Sequence, residues 1–145
     1  MNILSISQHI YTVLVQDWTV YELTAGRIFP LASKTESESP FIAFARDDVQ
    51  VSYTKDGRAS VTTDVTVFCV AVTHRDSITL AGAVADALDG SVAEYDTFSV
   101  TSAKVTGADE AFIQDSFVQT VRMRFRQVAS TPGDFNSDFS DDFLI

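Results

Sequence analysis

A chain of 145 residues with 46% hydrophobic and 11% aromatic content can bury one core, which excludes a wholly disordered protein. Its formal charge of −10 argues against ordinary nucleic-acid binding, where neutralising phosphates supplies much of the affinity. No apolar run approaches the roughly eighteen residues of a membrane span, and the N-terminus lacks the basic and apolar regions of a signal peptide, so a soluble protein made in a cytoplasm is expected.

In chain order, Ile3, Ile6, Ile10, Val13 and Leu14 recur at helical spacing, which predicts an amphipathic helix over residues 2–16, capped by Asn2 or Ser5. Trp18, Val20 and Tyr21 suggest a short extended piece ended by Thr24-Ala25-Gly26. Arg27 to Leu31 reads as a brief strand that Pro30 confines to a sheet edge or a strand end. Residues 33–39 are polar and patternless, hence a surface loop. Extended segments follow at Phe41–Arg46 and Val49–Tyr53, separated by Asp47-Asp48, and Asp56-Gly57 signals a tight turn.

Ala59 to His74 is the longest extended candidate. Val61, Val65 and Val67 share one parity, and Phe68, Val70 and Val72 the other, which suggests a bulge or a stretch buried on both faces. Asp76 or Ser77 then caps a second helix carrying Leu80, Val84 and Leu88, and Asp89-Gly90 stops it. Thr97–Thr106 reads as a strand and Gly107-Ala108-Asp109-Glu110 as a turn. Phe117–Val128 is the clearest strand, with Phe117, Val121, Met123 and Phe125 on one side and Val118, Thr120, Arg122, Arg124 and Arg126 on the other. The predicted fold class is α+β: a mainly antiparallel sheet with two helices packed on one face and a C-terminal extended arm. The predicted boundaries are 1–129 for the globular domain and 130–145 for the arm.

Chemistry-bearing motifs are few. No phosphate-binding glycine loop, zinc-protease helix or nucleophile elbow occurs, and the two histidines and one cysteine propose no metal site, so no cofactor and no catalytic residue is expected. Cys69 lies in an apolar run and reads as a buried, inert thiol, with His9 on a helix and His74 on the same strand's other face as unconvincing partners. Arg122, Arg124 and Arg126 form a row spaced roughly 7 Å apart. The bland reading is a solvated face with cross-strand partners such as Asp64; the functional one is an interface for an acidic surface, such as the Asp-rich tail of a neighbouring copy. Phe135, Phe139 and Phe143 recur every four residues in that tail and fall on one side whether helical or extended. Either they dock as an arm on an adjacent subunit or tail protein, or the tail merely solubilises the chain.

The order of several segments resembles the tail-completion (tail-terminator) family of tailed bacteriophages. The carriers are Gly26-Arg27-Ile28-Phe29-Pro30, then Pro40-Phe41-Ile42-Ala43-Phe44, then Thr63 to Phe68, then Ala81 to Gly90, which reads Ala-Gly-Ala-Val-Ala-Asp-Ala-Leu-Asp-Gly. The resemblance spans residues 3–128 and leaves out the Phe-rich acidic tail. It implies a structural virion protein, assembled in the host bacterial cytoplasm, that forms a ring, commonly hexameric. The ring would cap the tail tube, join it to the head connector and let DNA pass without specific binding. The rival readings are another neck or tail-tube subunit and, from a different class, a small adaptor or ligand-binding module with a pocket between sheet and helices.

Overall fold

A computed structural model describes residues 1–30, 38–53 and 59–130. The expected loop over residues 33–39 (but for its last two positions), the turn at Asp56-Gly57 and the aromatic arm with Phe135, Phe139 and Phe143 lie outside the described residues. Within them the order is α1 (Ile6–Gln16), α2 (Trp18–Thr24), β1 (Ile28–Pro30), β2 (Phe41–Tyr53), β3 (Ala59–Ala71), α3 (His74–Leu88), β4 (Ala93–Glu94), β5 (Phe98–Ile113) and β6 (Ser116–Ala129). The strands make one sheet in the order β1-β2-β3-β6-β5-β4, antiparallel except where β1 pairs parallel with β2. The α+β architecture is therefore as expected.

One face of the sheet carries the core. Val61, Val65, Val67 and Cys69 of β3 and Val121, Met123 and Phe125 of β6 point inward with Ile42 and Phe44 of β2. Against them pack Ile6, Ile10 and Leu14 of α1, Val20 of α2 and Leu80, Val84 and Leu88 of α3. Period-two and helical stripes thus meet in a single buried cluster. Cys69 is wholly buried, and burial pushes its thiol up to about 12, so the inert reading holds.

Several local expectations need correction. Trp18, Val20 and Tyr21 are helical, because the Asp17 carboxylate accepts from the Val20 amide and starts a new helix there. The helix α3 is capped by Thr73, whose hydroxyl accepts from the Asp76 amide, so His74 belongs to the helix and not to the preceding strand. Ser5 sits at the N-cap position of α1 but makes no side-chain cap, while the Asn2 side chain accepts from Leu4.

In β3 the inward parity never switches: odd residues from Val61 to Ala71 are all buried, and Phe68 and Val70 lie half-buried on the other face. The register shift is in β2, between Arg46 and Asp48, and the strand runs on through it from Phe41 to Tyr53, so Val49–Tyr53 continues Phe41–Arg46 as expected. Gly107 to Glu110 is likewise no turn. It continues β5, and the reversal comes at Gln114-Asp115, both at positive φ.

The Gly26-Arg27-Ile28-Phe29-Pro30 segment explains itself locally. Gly26 has φ +80 and lies against the Tyr21 ring, where an added Cβ would come within 3.2 Å. Arg27 then donates from Nε to the Pro40 carbonyl at 3.1 Å, tying the start of β1 to the start of β2. Pro30 ends β1 at the sheet edge, as its missing N–H requires.

Candidate assembly surface

The face of the sheet turned away from the helices is organised in register rows. Phe29, Ala43, Phe68, Thr120 and Asp109 form one row across β1, β2, β3, β6 and β5, and Phe41, Val70, Val118 and Ala111 form the next. Phe29 and Phe41 lie 6.2 Å apart, and Ala43 is buried between its aromatic neighbours. Three polar rows follow towards the other end: Ala45, Thr66, Arg122 and Gly107; Asp48, Asp64, Arg124 and Lys104; Gln50, Thr62, Arg126 and Ser102. One half of this face is therefore largely apolar, with Thr120 and Asp109 at its β6–β5 side, and the other half is ionic.

The three arginines stand together in the ionic half, as the alternation of β6 demands. Arg122 donates from Nη1 to Asp109 at 2.7 Å and folds over Gly107, where an added Cβ would meet its guanidinium at 3.0 Å. Arg124 donates from Nε to Asp64 at 2.8 Å, the cross-strand partner that sequence suggested. Arg126 donates to the Ser60 hydroxyl at 2.8 Å. The Asp64 carboxylate raises the Arg124 pKa, and the hydrogen bond from Arg122 lowers that of Asp109. These groups are exposed to solvent, so the pairs orient the guanidinium groups more than they stabilise the fold. Thr66 also donates to Asp47, at the β2 bulge.

Two features were not picked out from sequence. The apolar half of the face rests on Phe29 and Phe41, which lie on segments recognised only as strands; the parity of Phe68 and Val70 was the available signal. The second is a polar cluster at the start of α3. There Glu110 accepts from Gln119 at 2.6 Å and lies 2.7 Å from His74 Nε2, and the Gln119 amide also reaches Ser77 at 3.2 Å. The Gln119 bond leads in holding the Glu110 carboxyl below its usual range, with His74 second.

Elsewhere a shallow groove of about 390 Å³ runs between α2 and α3, lined by Asp17, Thr19, Ile78, Gly82 and Asp86. The space between sheet and helices, where a ligand-binding module would hold its ligand, is filled by the core cluster. Among the described residues no three metal-ligating side chains converge, and no helix is long and apolar enough to cross a membrane.

Comparison with known proteins agrees with this architecture. A chain from the virion of a native gene transfer agent (GTA) particle superposes with a TM-score of 0.72 at 17% sequence identity, covering 83% of this chain and 92% of that one. At that identity the likeness is one of fold. No curated protein matches the chain significantly. The family described as tail completion protein gp17 matches residues 8–130, from the first turn of α1 to the end of β6. A match of that extent, over every element just described, shows that this chain belongs to the tail completion protein gp17 family.

Proposed function

We propose that this chain is a ring-forming subunit that completes a phage-type tail, capping the tail tube and presenting a docking surface to the head connector. The observation that carries the reading is the family match over residues 8–130. It works by assembly and not by catalysis, and its place is the tail or neck of the particle, after synthesis in the host bacterial cytoplasm. The globular unit is 1–129, and 130–145 is an arm appended to it; the family match ends at residue 130, which supports that division.

The fold offers the two unlike surfaces that a heterologous ring requires. Among the described residues, β1 covers β2 only at Ile42–Phe44, so Asp47–Tyr53 has an open edge. On the opposite side β4 covers β5 at Ser99–Val100, the Gly90 N–H donates to the Ala103 carbonyl and the Val105 N–H donates to the Asp89 carboxylate, so among the described residues the open edge of β5 is Thr106–Ile113. Unpaired edges invite another strand. The net charge of −10 suits a channel wall along which DNA slides without binding. In this reading Arg122, Arg124 and Arg126 belong to the assembly surface.

Native mass spectrometry of the purified protein tests the proposal. A closed homo-oligomer, with a hexamer expected from the family resemblance, supports it. A strict monomer at every concentration, with no assembly on added tail tubes, would overturn it in favour of an adaptor reading.

A further inference from the structure

We propose that the outer face of α3 is a contact surface for a second copy of this chain, the two α3 helices packing antiparallel about a two-fold axis. Arg75, Ile78, Thr79, Gly82 and Asp86 lie on one stripe of the helix, opposite the buried Ser77, Leu80, Val84 and Leu88. The stripe is exposed and borders the shallow groove between α2 and α3. Three of its features find no use within a single chain.

The first is charge. His74 and Arg75 open α3 at its positive end, and Asp86 lies in the last turn, at the negative end, where no basic residue stands. Both placements oppose the helix dipole, and only Asp76 in the first turn complements it. Among the described residues the ion pairs are His74–Glu110, Arg122–Asp109 and Arg124–Asp64, and neither Arg75 nor Asp86 takes part. The second feature is Gly82. Glycine inside a helix is less favourable than alanine, and here an added Cβ would meet nothing within 4 Å, so no neighbour in the chain requires its absence. The third is Ile78, an apolar side chain left 49% exposed one turn away.

A second α3 running the other way answers all three. In the register that sets Arg75 against the partner's Asp86, Thr79 falls against the partner's Gly82 and Ile78 against the partner's Ala83, and each contact occurs twice. The two ion pairs then stand about 16 Å apart along the helices, at ~1.5 Å per residue. The Thr79 hydroxyl donates to the Arg75 carbonyl at 3.0 Å, so it is satisfied within its own helix and needs no polar partner across the contact. With glycine at the crossing, the axes approach to about 8 Å, the close end of helix packing. Ile78 then enters the partner's groove beside Gly82 and Ala83. The acidic end of each helix also lies against the positive end of the other. Such a contact closes with two copies, so it is distinct from the heterologous contacts of a ring and does not rest on them.

Charge reversal in the full chain, read by native mass spectrometry, tests the pairing. Arg75→Asp and Asp86→Arg should each halve the wild-type mass, from a pair to a single chain or, where rings form, from two joined rings to one. Asp86→Arg makes the chain less acidic, so relief of general repulsion would act in the opposite direction. Mixing the two variants one to one should restore the doubled mass, because the two reversed side chains face each other and the two native ones do likewise. Gly82→Leu should also halve the mass with an unchanged far-UV circular dichroism spectrum, since the single chain has room for the side chain. Single variants that keep the wild-type mass, or a mixture that stays at the halved mass, would overturn the proposal.

Discussion

His9 shows how a polar residue can be settled inside this core. It is wholly buried, with Nδ1 2.9 Å from the Tyr95 hydroxyl and Nε2 2.9 Å from Ser91 Oγ. Ser91 donates its own proton to the Leu88 carbonyl at 2.7 Å, so its oxygen accepts from His9 Nε2–H and the Tyr95 hydroxyl donates to Nδ1. The neutral ring is thereby satisfied on both sides, and burial pushes its pKa down to about 4. The unfolded chain, titrating near 6.5, takes up a proton first as the pH falls. The stabilisation is therefore complete above pH 6.5 and drains away as the pH falls towards 4. Between about pH 7 and about pH 5.5 the wild type should lose about 1 kcal/mol by urea unfolding, and His9→Gln should lose almost none of its own stability over that interval. Equal slopes for the two proteins would refute the assignment. From sequence His9 could be placed on a helix; its partners, some eighty positions away, could not be.

At the level of elements, legibility followed how strongly local chemistry was expressed. The strand β6 was plain because inward apolar and outward polar residues alternate along it, and α3 because of its Leu80, Val84 and Leu88 stripe and its Asp89-Gly90 stop. The helix α2 was missed because seven residues rich in bulky aromatic and β-branched side chains favour extended backbone, and only the Asp17 cap tips them into a helical turn. The β5–β6 turn was misplaced for a similar reason. Gly107 attracts a turn assignment, yet here the Arg122 side chain lies across it; the true reversal uses Gln114 and Asp115 at φ 50 and 62. A two-residue turn with both residues at positive φ favours Asn-Gly, and glutamine is a poor occupant. Gln114→Asn/Asp115→Gly should therefore stabilise the fold by about 1 kcal/mol, seen as a higher urea midpoint with an unchanged slope. A lowered midpoint would mean that the native pair makes contacts worth more than its strain.

For the whole molecule, one face of the sheet is spent on the core, and the other carries the arginine row beside a set of apolar side chains. That division was legible in outline, since the arginine row stood out against an acidic chain. The apolar half of the same face was not, because it is collected from Phe29, Phe41, Phe68 and Val118 on four strands whose order no local pattern reveals. The row has a further consequence if rings form. Subunits of formal charge −10 repel one another, and cations placed together on the assembly face offset that repulsion where surfaces meet. Replacing all three in Arg122→Ser/Arg124→Ser/Arg126→Ser removes three positive charges and also strips Asp64 and Asp109 of their partners. The fold should survive, since these pairs are exposed. The oligomer should weaken most at low salt and recover partly as added salt screens the repulsion over about 10 Å at 0.1 M. Native mass spectrometry and sedimentation across a salt series measure both effects. A variant that assembles with the wild-type stoichiometry and salt response would remove the arginine row from the interface and leave the open strand edges as the surfaces that close the ring.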